Sequence, residues 1–283
     1  MGKIKIVTDS TVDLDQSLVN QYDIRIVPLS ISINGEHYLD RVDITPKEFI
    51  EKMKNSPELP KSSQPSAGEF LKVYDELADE GHEIISIHMT GGMSGTVGSA
   101  ESAAGMSKAH VKVIDSRFIS KGLAFQVLEA ARMAQEGKKM EDIITRLEEV
   151  RNNSRLYVVV DTLDNLVKGG RIGKGKAMIG SLLNIKPIAS LEGGVYTPVA
   201  KVRSHTQVVK YLAKQFAEDT KNRTIKGVGL VHAEGYELAS KLKTALIELT
   251  GYTQIQIEDT TPIISTHTGV GAIGFMYYFE KGE

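Results

Sequence analysis

The sequence predicts an α/β protein of two lobes, an N-terminal lobe on a doubly wound parallel sheet and a C-terminal lobe on a mixed sheet. Three observations lead there. Through the first half, short β-rich runs alternate with helical segments of about 10–15 residues, the rhythm of a parallel sheet covered on both faces. Past residue 154 that rhythm changes to hairpin-like β pieces separated by two long helical patterns. The polar stretch Arg151-Asn152-Asn153-Ser154 divides the two regimes, so the lobes are expected at 1–154 and 155–283.

Each element has a local reason. Lys3 to Thr8 alternates around Ile4 and Ile6 and stops at Asp9-Ser10, which reads as a first strand. Arg25 to Ile33 is β-rich and ends at Asn34-Gly35, a strong hairpin signal. Thr45-Pro46 with Glu48 forms a capping box for a helix to about Lys54. Residues 55–65 hold three prolines and three serines and read as a loop, until Ser66 and Glu69 cap the next helix. Glu83 to Met89 is a strand, residues 90–96 its exit turn, and a small-residue helix follows through Ala104. Val111 to Asp115 is a strand, followed by helices near Leu123 to Gln135 and Glu141 to Val150.

In the second half, Arg155 to Val160 is a strand and Lys168 to Lys176 a glycine- and lysine-rich segment. A hairpin is expected at Glu192-Gly193-Gly194, between Ile188 and Val199. Ser204 with Gln207 caps a helix to about Glu218; Val228 to Val231 is a strand and Glu237 to Leu249 a helix. Ile255 to Glu258 and Ala272 to Phe279 are β-rich.

Composition removes several functions. The 34 Lys+Arg against 36 Asp+Glu give a net charge of −2, so there is no electrostatic case for a nucleic-acid binder. No cysteine is present, which leaves no disulfide, thiol nucleophile or thiolate metal site and fits a reducing, cytoplasmic setting. Asp9 interrupts the first apolar run before a secretory core of about 7 residues can form. The longest apolar stretch, Leu156 to Val160, falls far short of the roughly 18 residues of a membrane span, so no stable membrane insertion is expected.

Three familiar motifs nearly fit and fail. Residues 269–274 read G-V-G-A-I-G, matching the dinucleotide fingerprint, but a strand-like run follows where the phosphate-binding helix must start. No P-loop occurs. Gly92-Met93-Ser94-Gly95-Thr96 misses the nucleophile elbow at its last glycine, which weakens a serine hydrolase using Ser94 and His267 without excluding it. The seven histidines contain no zinc-binding pair, and no metal site or cofactor is expected.

Four clusters remain at predicted loops: residues 62–66 (Ser-Ser-Gln-Pro-Ser), residues 90–96, Gly169-Gly170-Arg171 and His267-Thr268-Gly269. Hydroxyls, backbone N–H groups, one arginine and one histidine suit the binding of a single compact anionic group better than the building of a nucleophile. The opening IVTDSTVDL, then SSQPSAGEF, MSGTVGSA, VKGGRIG and HTGVGAIG follow in the order of one family, and over essentially its whole length the chain resembles the DegV family of bacterial fatty-acid-binding proteins.

The resemblance implies a non-catalytic carrier. A long-chain fatty acid would lie between the lobes, its tail in an apolar tunnel and its carboxyl on Ser62, Ser63, Ser94 and Thr96, with His267 and Thr268 beside it. It also implies presentation of the acyl chain to a separate fatty acid kinase. It places Arg171, like His267, near the carboxyl end of the ligand, and the basic run Lys168, Arg171, Lys174, Lys176, then Lys201 and Arg203, is expected to face that partner or its phosphates. The glycines around Arg171 predict a mobile, exposed loop at the tunnel mouth.

Overall fold

Ile4–Asp9 forms β1, an inner strand of a four-stranded sheet, in a computed structural model that describes residues 3–178 and 185–282. It pairs in parallel with β2 (Arg25–Val27) on one side and β6 (Glu83–His88) on the other, and β7 (Val111–Asp115) continues beyond β6. Strand alternation splits the side chains between two cores. Val7 and Ile84 meet Phe70, Tyr74 and Ala100 of α3 (Ala67–Asp79) and α4 (Thr96–Met106), whereas Ile6, Ile85 and Ile87 join Leu123 and Val127 of α5 (Ser120–Gln135). The parallel, doubly wound sheet is therefore present. α6 (Met140–Asn152) lies beside α5 on the same face.

The expected strand over Arg25 to Ile33 is broken in two. Pro28 has no N–H to give a ladder, so β2 stops at Val27 and β3 (Ser30–Ile33) starts a separate antiparallel sheet. Asn34 and Gly35 turn β3 into β4 (Glu36–Leu39), and α2 (Pro46–Asn55) follows on the Thr45 capping box. The stretch 55–65 is not wholly a loop: Lys61–Ser63 is β5, paired with β3. A short α1 (Gln16–Gln21), capped by the Asp15 carboxylate, also went unread.

The mixed sheet runs β10-β9-β8-β13-β11-β12. Its strands are β8 (Ser154–Val159), β9 (Lys186–Ser190), β10 (Thr197–Val202), β11 (Arg223–Ala233), β12 (Gln256–Asp259) and β13 (Ala272–Lys281). All pairs are antiparallel except β11 with β12. α8 (His205–Thr220) and α9 (Tyr236–Thr250) cover one face through Leu212, Phe216, Leu242 and Leu246. The other face lies on α5, so Leu156, Val158, Val231 and Met276 share one core with Ile6 and Ile85. A helix between two sheets must be apolar nearly all round, and α5 buries Leu123, Ala124, Val127, Ala130 and Ala131.

Two more short helices replace expected loops: α7 (Asp164–Lys168) and α10 (Pro262–Thr268). The Thr261 hydroxyl caps α10, and Pro262 occupies its first turn. Gly269 ends α10, Gly271 takes a φ of 85° against the Asp161 carboxylate, and Gly274 lies within β13, which accounts for the three glycines of the false fingerprint.

Candidate functional site

The two sheets and the small β3-β4-β5 sheet leave a cavity with about 620 Å³ of empty space, partly open to solvent. Its wall is mostly apolar, including Leu29, Met89, Ile119, Val158, Leu191 and Ile263. A second hollow, with about 330 Å³ of empty space counting the solvent at its opening, shares Ile119, Val158, Ile264 and Thr268 with it and continues to Met276. The two adjoin as a largely apolar channel; Ser62, Gln64, Ser94, Arg171 and His267 line the first hollow, Thr268 lines both, and Ser120, His232 and Thr260 line the second.

β5 carries Ser62 opposite Ile31 and holds its hydroxyl 2.7 Å from His267 Nε2. Because side chains alternate along a strand, the neighbouring Ser63 is exposed and does not line the cavity. Gln64 does. Ser94 ends the turn after β6, with its hydroxyl 2.8 Å from Thr96 Oγ1. Thr96 is fully buried behind Ser94 and supports it without reaching the wall. The turn is held from both sides: Met89 N–H donates to Asp9 Oδ2 at 2.8 Å, and Thr90 Oγ1 donates to the Gly194 carbonyl at 2.8 Å.

His267 lies on α10, a helix rather than the expected loop. Its Nδ1 is buried without a partner and presses on Gly169, where an added Cβ would come within 2.4 Å of that nitrogen. Only glycine fits there. Burial, with the Arg171 charge adding to it, pushes the His267 imidazole down to about 4, so the ring is neutral at physiological pH. Thr268 donates its hydroxyl to the Ile264 carbonyl at 3.0 Å while contributing to the wall.

Arg171 lies beside His267, where the resemblance places it, but not on an exposed loop. It is half-buried in the cavity wall, with Nε donating to the Met93 carbonyl at 3.1 Å and Nη1 to the Gly169 carbonyl at 2.6 Å. The segment expected to be a mobile loop is α7 followed by a 3-10 helix over Gly173–Met178. Lys168, Lys174, Lys176, Lys201 and Arg203 are exposed, and Arg203 lies outside the cavity at the end of β10.

The pairing that a Ser94–His267 hydrolase needs is not formed. Ser94 is bonded to Thr96, His267 to Ser62, and no carboxylate stands behind His267 Nδ1. Among the described residues there is no cluster of metal-ligating side chains. Sequence reasoning missed Tyr196, whose hydroxyl is buried without a partner in the cavity wall, and Thr11, fully buried there. Nothing in the sequence separates Tyr196 from an ordinary core tyrosine.

A parallel and a mixed sheet sharing one helical core beside a mostly apolar channel define the class: a two-sheet α/β protein with an internal cavity. The model of the DegV family, described as an uncharacterised protein family, matches residues 3–280, and the chain belongs to it. A DegV domain-containing protein of Listeria monocytogenes is 44% identical over 281 residues, which is 99% of this chain and 100% of that one. Two solved structures are similar over nearly their whole lengths. A DegV family protein from Thermus thermophilus, described by its fatty acid binding, has 32% identity and a TM-score of 0.91, covering 98% of this chain and 99% of its own. DegV from Bacillus subtilis, described as a fatty acid binding protein, has 33% identity and a TM-score of 0.90, covering 99% and 100%. No helix among the described residues is long and apolar enough to cross a membrane.

Proposed function

We propose that this protein binds a long-chain fatty acid in the channel, between lobes 1–154 and 155–283, and presents it in the cytoplasm to a separate fatty acid kinase. The carrying observation is a mostly apolar wall beside a cluster of neutral donors and one arginine, Ser62, Ser94, His267, Thr268 and Arg171. The carboxyl sits on Ser62 and Ser94, with His267 and Thr268 beside it and Thr96 holding Ser94 in place. Ser63, exposed, contributes little. Each buried CH₂ is worth about 0.8 kcal/mol, so the tail supplies most of the affinity and the polar end sets orientation. The fatty-acid-binding relatives support this reading, as does the absence of an assembled Ser94–His267 pair.

Arg171 belongs with the head group in this reading, because its backbone anchors hold its charge in the wall beside His267. The exposed Arg203 and its neighbouring lysines take the docking role. In the kinase step a carboxylate oxygen bonds the γ-phosphorus of ATP and ADP leaves; this chain only positions the carboxyl. Organic extraction and mass spectrometry of the purified protein should recover about one fatty acid per chain, and lipid-free protein that takes up none on incubation refutes the binding. With the cognate kinase and ATP, Arg203→Ala should keep its lipid yet support little acyl-phosphate formation, whereas Arg171→Ala should lose lipid and product in proportion.

A further inference from the structure

Leu191 stands in two walls: that of the lipid channel and that of a larger open cleft with about 1150 Å³ of empty space. Three arginines line the cleft from three elements, Arg117 from the β7–α5 connection, Arg151 from the end of α6 and Arg155 from β8. No carboxylate is among its wall residues.

Few of these guanidinium donors are used. Arg151 Nη1 donates to the Asp115 carbonyl at 3.2 Å, its nearest carboxylate, Glu148, is 3.9 Å away, and its Nε is buried without a partner. Arg155 Nη1 donates to the Asn152 and Ser154 carbonyls, and its nearest carboxylate, Asp219, is 3.8 Å away. Arg117 is exposed and forms no side-chain ion pair among the described residues. Its backbone is held in the left-handed region, at φ 59°, where its N–H donates to Asp115 Oδ1 at 2.8 Å. A conformation that costs a non-glycine residue energy is thus maintained at the cleft.

β9 pairs with β8 only at residues 157–159, so residues 154–156 lack a strand partner on that edge, and they too line the cleft. Tyr157 and Tyr211 also line the cleft.

We propose that this cleft binds a multiply charged oxyanion of about nucleotide size, a phosphorylated or polycarboxylated small molecule, at a site separate from the lipid channel. Each guanidinium offers five N–H donors in a fixed fork that matches two oxyanion oxygens at once. Carboxylates at 3.8 and 3.9 Å leave room for ligand oxygens at about 2.8 Å without the loss of a short ion pair. The site also adjoins the turn that carries Ser94. Gly193 lines the cleft, and the next residue, Gly194, accepts from Thr90 at the start of that turn.

Isothermal titration of the full-length, lipid-loaded protein with pyrophosphate, citrate and ATP, each without metal, tests the proposal at low salt. At least one should bind saturably at one site, tenfold or more weaker in Arg117→Gln and in Arg151→Gln, and unchanged in Lys72→Gln, an exposed cation of α3 away from both walls. Lipid content of each variant checks folding, and the exposed Arg117 makes its variant the safer one. Binding of pyrophosphate and ATP without citrate assigns phosphoryl chemistry; citrate without the other two assigns carboxylates. No saturable binding of any of the three, or binding that both arginine variants retain, overturns the site.

Discussion

Two serine–histidine pairs are formed in this molecule, and they have opposite deficiencies. Ser86 Oγ stands 2.7 Å from His88 Nε2, and Asp9 Oδ2 stands 3.2 Å from His88 Nδ1, which completes the atom order of a hydrolytic triad. All three residues are sealed from solvent, and the Tyr74 hydroxyl donates to Ser86 at 2.7 Å. Ser62 and His267, also 2.7 Å apart, line a cavity a ligand can enter, but Nδ1 of that histidine has no partner. A nucleophile needs both a base with its orienting acid and a path for substrate. Each pair has one without the other. The sealed network therefore serves the fold, and recognition is the role proposed for the open pair.

The sharpest way to break this contrast is Asp9→Ala. Asp9 accepts from Thr11 N–H and Oγ1 and from Met89 N–H while facing His88, all within a buried site. Its loss should cost roughly 3–5 kcal/mol in urea unfolding, because several buried donors are orphaned together. A value under about 1 kcal/mol would mean the network carries no structural weight.

The open pair should show itself in pH dependence next. The His267 imidazole sits well below the ordinary histidine value in the folded chain, at about 4, so between about 4 and 6.5 the unfolded chain binds more protons. Stability from this site is therefore present above about 6.5 and lost as pH falls toward 4, by at most about 3 kcal/mol. Unfolding curves of wild type and His267→Gln across this window should converge on acidification; parallel curves would place the proton elsewhere.

Ser62→Ala should leave unfolding nearly unchanged and weaken fatty-acid binding by about 1–3 kcal/mol, the worth of a hydrogen bond to a charged group. Ligand displacement reads it directly. Smallest of all, Ser63→Ala should change lipid affinity and stability by under about 0.5 kcal/mol, since the side chain is exposed and off the wall. Hydrolysis of p-nitrophenyl esters that vanished in Ser62→Ala would reverse the functional half of the contrast.

The sequence made some of these features plain and hid others for identifiable reasons. The capping boxes at Thr45 and Ser66 and the Asn34-Gly35 hairpin carry their structure in adjacent residues, and they form as read. Ser62, Ser94, Arg171, His267 and Thr268, spread over more than two hundred positions, do line one cavity. β5 was illegible because three residues between prolines show no period, and without it nothing tells Ser62 from Ser63. α10 buries Pro262 through Thr266 in succession, so no polar face marks it as a helix. Glycines beside Arg171 suggested mobility; at least Gly169 is there because His267 leaves no room for a side chain.

β13 lies between β8 and β11 in the mixed sheet, yet it is the last strand in sequence. A ribosome adding about 5–20 residues per second delivers the N-terminal sheet many seconds before this strand. Until then β8 and β11 have no common neighbour, Met276 and Phe275 are missing from their cores, and the channel lacks a wall. The Asp13–Thr260 hydrogen bond waits as long, since its ends are 247 positions apart. During synthesis the greasy surface of α5 is thus laid bare on the side its second sheet will cover. That interval is when the nascent chain is most exposed to chaperones and proteases, and any lipid must be captured after it.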